Sequence, residues 1–133
     1  MSVTYYPIFS GVQNLTGSTS AWASAVSSDF TDQTTGATVA ASKRFQKIRV
    51  TNTSSVAAMV SWAKDVSTLD AQSASAGIPL GAGEELEYEI CSLGASVGVG
   101  AVGVRVDPDL TTSNLGSGVD ATTVAVYAEF GNT

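Results

Sequence analysis

Apolar and polar residues alternate with a period of two along three stretches of this chain, and that period belongs to strands. In residues 46–51, Ile48 and Val50 point one way while Lys47 and Arg49 point the other, the mark of a half-buried strand. In residues 84–91, Leu86, Tyr88 and Ile90 alternate with Glu85, Glu87 and Glu89, whereas a helix would scatter those glutamates around its circumference. In residues 123–130, Val124, Val126, Ala128 and Phe130 share one face. Residues 56–63 read as a strand with two apolar or small faces. Val56, Ala58, Val60 and Trp62 lie on one face and Ala57, Met59, Ser61 and Ala63 on the other, so both are expected to be covered. Residues 95–106 alternate Val and Gly with a change of phase. Val97 and Val99 sit at odd positions and Val102, Val104 and Val106 at even ones, which calls for a β-bulge or a tight turn near Gly100.

Turn chemistry separates these runs at Asn52-Thr53-Ser54-Ser55 and at Gly81-Ala82-Gly83, and residues 64–77 and 107–118 read as long polar loops. Six to eight short strands at such spacing predict an all-β fold, an antiparallel β-sandwich or barrel of jelly-roll-like type.

The first 42 residues look different. Residues 3–9 suggest a short strand that Pro7 confines to an edge or bend. Residues 11–19 read as loop, and residues 20–26 as one or two helical turns with Ser20 as N-cap and Trp22 and Val26 on one face. Residues 31–41 are small and polar, with a β segment at 38–41. Large apolar residues cluster after Phe45, so the core is expected in the later two-thirds of the chain. The expected organisation is therefore an extended N-terminal arm and linker over residues 1–42, ordered by neighbours, and a β domain over residues 43–133.

Composition narrows the function. Only 14% of residues are charged, against about 25% in an ordinary soluble domain. A chain this poor in charge, without membrane segments, is expected to spend much of its life against other protein. The net charge of −6 disfavours nucleic acid and anionic membrane surfaces as partners. No run approaches the roughly 18 apolar residues of a membrane helix, and the N-terminus lacks the basic and apolar regions of a secretion signal. Synthesis in a cytoplasm follows as the expectation.

Catalytic chemistry has little to work with. The chain has no His, which removes Ser-His-Asp and Cys-His sites and His-ligated zinc. Cys91 is the only cysteine and lies in an apolar run, as a buried inert thiol would. Gly98, Gly100 and Gly103 mimic a dinucleotide fingerprint but lie in β alternation with no following helix. Asp107, Asp109 and Asp120 could ligate Ca²⁺, although a solvated turn set by Pro108 explains them better. The glutamates of residues 84–89 offer carboxylate pairs, yet their alternation makes them the wet face of one strand. Asn14-Leu15-Thr16 and Asn52-Thr53-Ser54 match glycosylation sequons without a secretion signal to give them meaning. The chain is read as a non-enzyme with no cofactor and no metal.

Lys43, Arg44, Lys47 and Arg49 are four of six basic residues, gathered in one short segment. They form either a solubilising face or a patch that meets an acidic partner or pairs across strands with Glu87 and Glu89. Tyr5, Tyr6, Phe9, Trp22 and Phe30 are large aromatic anchors in the arm, and a sister subunit or the surface of a partner protein is expected to take them up. For Trp22 taken by itself the protein's own core is the first reading and a neighbouring subunit the rival.

The segments Ile48-Arg49-Val50-Thr51-Asn52-Thr53, then residues 56–62, then Gly77-Ile78-Pro79-Leu80-Gly81-Ala82-Gly83-Glu84, then residues 86–90 carry a resemblance in their order and spacing. Together they resemble small β-rich virion proteins of tailed bacteriophages over residues 48–106, and again at 124–130. That resemblance implies an accessory structural protein and brings no catalytic residues. The expectation is a capsid decoration (cement) protein of the virion, a homotrimer that binds the major capsid protein or other virion proteins, with no nucleic acid or membrane partner. A head or tail fibre component contacting the host, or a carbohydrate-binding β-sandwich, stands as the alternative.

Overall fold

The computed structural model describes residues 13–32, 35–89, 98–107 and 121–130. Among these residues, eight strands form two antiparallel four-stranded sheets: β1 (Gln13–Ser18), β2 (Ala23–Val26), β3 (Phe45–Asn52), β4 (Ala58–Ala63), β5 (Ile78–Leu80), β6 (Glu85–Glu89), β7 (Ala101–Val106) and β8 (Ala121–Phe130). Sheet A has the order β1-β8-β3-β6 and sheet B the order β2-β7-β4-β5. The fold is an all-β sandwich, as the alternation predicts.

The core lies between the sheets and is supplied by every second residue of each strand. Sheet A contributes Ile48, Val50, Val124, Val126, Ala128 and Phe130; sheet B contributes Ala25, Ala58, Val60, Leu80, Val102 and Val104. Phe30, Phe45 and Phe130 close one end as an aromatic trio with centroids 4.8–5.8 Å apart. Burying one such ring stabilises by about 1.5–3 kcal/mol.

The opposite end is tied by a polar knot around Asn52, which is fully buried. Its Nδ2 donates to the carbonyls of Val56 and Leu80, and its Oδ1 accepts from the amide and hydroxyl of Ser54. Thr122 donates to the same Val56 carbonyl at 2.8 Å. Every polar group of the amide is therefore satisfied, so its burial carries no desolvation penalty left uncompensated. Asn52 thus joins the end of β3 in sheet A to the turn that leads into β4 and to β5 of sheet B.

Residues 13–32 are woven into both sheets, which corrects the reading of that stretch as arm. Residues 13–18, expected as loop, pair with β8, and residues 23–26, expected as helical turns, pair with β7. Ala25 and Phe30 are each only 1% exposed, so the core reaches well into the first third of the chain. Small residues make this possible. A Cβ at Gly17 would lie 2.6 Å from the backbone of Arg105, so glycine lets β1 of one sheet approach β7 of the other. Thr31 bridges Thr38, and the Val39 amide donates to the Phe30 carbonyl. The suggested strand at 3–9, together with Tyr5, Tyr6 and Phe9, lies outside the described residues, as do Cys91, Asp109 and Asp120.

Two further corrections concern connections. Residues 64–77 hold a short helix, α1 (Val66–Asp70), whose N-cap Asp65 accepts from the Thr68 amide at 2.7 Å. The phase change near Gly100 marks a crossing between sheets. Phe45 of sheet A donates to the Val99 carbonyl, while the Gly100 amide donates to Ala63 of sheet B. Val99 therefore answers to sheet A and residues 101–106 to sheet B, so the alternation need not keep one phase across the step.

The outer face of sheet B is covered, as both-sided apolarity in residues 56–63 predicts. Leu69 of α1 is fully buried against Met59, Ala63 and Ala101, with Trp22 beside them. Gln72 fixes the cover: its Nε2 donates to the Trp62 carbonyl, its Oε1 accepts from Ser61 and its own carbonyl accepts from the Trp22 indole.

Candidate functional site

The outer face of sheet A is organised in three columns of alternate residues. On β8 they are Ala125, Tyr127 and Glu129; on β3, Thr51, Arg49 and Lys47; on β6, Glu85, Glu87 and Glu89. The registers place Glu129, Lys47 and Glu89 in one row and Tyr127, Arg49 and Glu87 in the next. The face therefore carries four of the chain's five glutamates against two basic side chains.

Lys47 Nζ lies 2.7 Å from Glu87 and Arg49 Nε lies 4.0 Å from Glu85. Each basic group reaches diagonally, to the glutamate two residues before its register partner. Long side chains on adjacent strands span that separation. The hydrogen bond from Lys47 holds the Glu87 carboxyl below its ordinary value, helped by the charges of Lys47 and Arg49. The same bond raises Lys47, and the charges of Glu87, Glu129 and Glu89 add to it. The Arg49 guanidinium stacks 4.4 Å from the centre of the Tyr127 ring. A shallow cleft between these groups is lined by Lys47, Arg49, Glu87, Tyr127 and Glu129.

The basic cluster of the sequence is thus divided in space. Lys47 and Arg49 stand on this face with their charges engaged by glutamates. Arg44 lies over the carbonyls of residues 41–43 and lines a separate cleft with Lys64, Asp65 and Gly100. Lys43 lies on the approach to β3 and does not line the sheet A cleft.

Trp22 and Phe30, expected as anchors for a neighbour, are buried by their own chain at 8% and 1% exposure. Trp22 has the cover of sheet B, the Gln72 carbonyl for its indole N–H and the Arg105 guanidinium 5.6 Å from its ring. Phe30 has the aromatic trio.

Sequence reasoning passed over Glu85, Tyr127 and Glu129 as members of the site. The signal was present: the face of β8 opposite Val124, Val126 and Ala128 must hold Tyr127 and Glu129. Reading that face against the outer face of β3 required knowing that the two strands are neighbours.

A second exposed feature lies at the edge of the sandwich beside β6. Tyr88 is 43% exposed and Ile78 is 38% exposed, the two large apolar side chains most open to water among the described residues. Tyr88 of sheet A packs on Trp62 of sheet B with centroids 4.7 Å apart. Among the described residues, no group of three or more Cys, Asp or Glu side chains is placed to hold a metal ion.

The chain matches no protein-family model, and no curated protein matches it.

Proposed function

We propose that the protein is a non-enzymatic structural component of a phage virion, a decoration protein that docks on the assembled head and stabilises it. The observation that carries this reading is the distribution of charge. A chain with few charges gathers six of them, Lys47, Arg49, Glu85, Glu87, Glu89 and Glu129, on one sheet face. A β surface on which Lys47 pairs with Glu87 and Arg49 with Glu85 suits protein docking, because such charges set orientation and reject mismatched partners. The resemblance of residues 48–106 to accessory virion proteins supplies the partner class, the major capsid protein. A trimer is the proposed assembly, since shell-bound proteins follow local shell symmetry.

Stabilisation would act by mass action: a protein that binds the assembled shell and not its free subunits raises the shell's resistance to disassembly. The test is co-sedimentation of the purified protein with heads of the phage that encodes it and with their unassembled subunits, with its mass measured alone. Binding to heads only, and a higher disruption temperature of decorated heads, is the expected result. Equal partition to both, or none, overturns the reading.

A further inference from the structure

We propose that the far edge of β6 is a docking site for an extended segment of a partner protein in which Lys or Arg alternates with Val or Ile, added to sheet A as a fifth strand. The inference concerns this edge alone and holds whether or not the chain belongs to a virion.

Three features meet there. The first is the backbone. Asn52 donates to Glu84 at 2.9 Å, and β3 pairs Val50 with Leu86 and Ile48 with Tyr88. In an antiparallel ladder the hydrogen-bonding direction alternates residue by residue. Leu86 and Tyr88 therefore bond to β3, and the amides and carbonyls of Glu85, Glu87 and Glu89 are directed to the opposite side. β6 ends the strand order of sheet A, so among the described residues no strand pairs with it there.

The second feature is charge. Glu85, Glu87 and Glu89 are exposed along the outer side of this edge. The third is apolar surface on the inner side, where Tyr88 and Ile78 are open to water and Trp62 stacks on Tyr88. A strand that satisfies all three must offer backbone groups, basic side chains outward and apolar side chains inward. Strand addition of this kind draws affinity from main-chain bonds and specificity from alternate side chains.

The protein already contains one such strand. β3 presents Lys47 and Arg49 outward and Ile48 and Val50 inward, and it occupies the other edge of β6 with the ion pairs described above. The proposed occupant repeats on one side of β6 what β3 does on the other.

A second copy of this chain does not fit. Antiparallel pairing of two β6 edges centred on Glu87 would set glutamate against glutamate in every outward pair, which repels. Nor can the chain supply the segment itself. Its basic residues are Lys43, Arg44, Lys47, Arg49, Lys64 and Arg105, and only residues 46–51 show the required alternation. The glutamates thus exclude self-pairing and admit a basic strand.

The test uses the intact ¹⁵N-labelled protein and two synthetic peptides. One copies residues 46–51, Gln-Lys-Ile-Arg-Val-Thr; the other carries Glu in place of its Lys and Arg. The first is expected to shift the amides of Glu85, Glu87 and Glu89 and the Trp62 indole, to protect those three amides from hydrogen exchange, and to weaken about tenfold as salt shortens the screening length from about 10 to about 3 Å. The Glu-bearing peptide is expected to cause no shift, and Glu89→Lys to lower affinity about fivefold with the fold unchanged. Equal binding of both peptides, responses confined to another surface, unaltered affinity of the Glu89→Lys protein, or no response at about 1 mM peptide overturns the proposal.

Discussion

Sheets A and B are alike on their inner faces, where each lays a row of Val, Ile, Ala or Phe into the shared core, and opposite on their outer ones. Sheet B buries its outer face beneath α1 and Gln72, with small residues at Ala63, Ala101 and Gly103 that let the cover approach. A Cβ at Gly103 would lie 2.6 Å from Leu69 Cδ2. Sheet A leaves the Glu85, Glu87 and Glu89 column of its outer face exposed and sets Lys47 and Arg49, half-buried, against it. One sheet buries its second face beneath a cover and the other sets ion pairs on it. Substitutions on the two outer faces should accordingly have very different costs.

The largest effect should come from removing what both sheets share. Deleting residues 1–32 takes β1 from sheet A and β2 from sheet B, with Trp22 and Phe30 from the cores. The expected outcome is loss of cooperative unfolding and of amide dispersion; a truncated protein that keeps both would show that the first strands are dispensable. Next, Leu69→Ala, beneath the cover of sheet B, should cost about 2–5 kcal/mol in denaturant unfolding, whereas Arg49→Ala on sheet A should cost at most about 1 kcal/mol. Equal costs would erase the contrast between the faces. Trp22→Phe keeps most of the packing and loses the indole donor, for an expected loss of about 1 kcal/mol.

The smallest effect is electrostatic and belongs to sheet A. Glu87 is held below its ordinary 4.5, so its contribution is present above that pH and fades as pH falls through the lowered value. Lys47 is held above its ordinary 10.5, so its contribution is present below that pH and fades as pH rises through the raised value. The pair should add stability between these limits, and Lys47→Met should flatten both flanks of the pH profile. A profile unchanged by that substitution would show the pair to be energetically silent.

Strands with a strong period were legible in the sequence, and strands made of small residues were not. Ile48, Val50, Leu86, Val124 and Val126 announce their faces because one side is apolar and the other polar. β1 and β2 have compositions such as Asn-Leu-Thr-Gly and Ala-Ser-Ala that suit loop, helix or strand. Their neighbours β8 and β7 decide, which is tertiary context overriding propensity. α1 was hidden in a polar stretch, although Asp65 before Val66 and the apolar Leu69 were its signals. For the candidate face, the glutamates and the two bases were readable from alternation. Cross-strand pairing, one of the alternatives for the basic cluster, named Glu87 and Glu89; the pairs found are Lys47 with Glu87 and Arg49 with Glu85, since strand register and diagonal reach follow from geometry rather than from composition.

The strand order of sheet A has a consequence for how the protein is made. β8 lies between β1 and β3, yet it is the last of the eight strands to leave the ribosome. At about 5–20 residues per second, β1 waits several seconds for its partner, and β3 must wait with the β8-facing amides and carbonyls of Lys47, Arg49 and Thr51 unpaired. Sheet A can close only after that delay, so its early strands depend on their own solubility. The Ser, Thr and Gly that made β1 hard to recognise as a strand are the residues that let it wait without sticking.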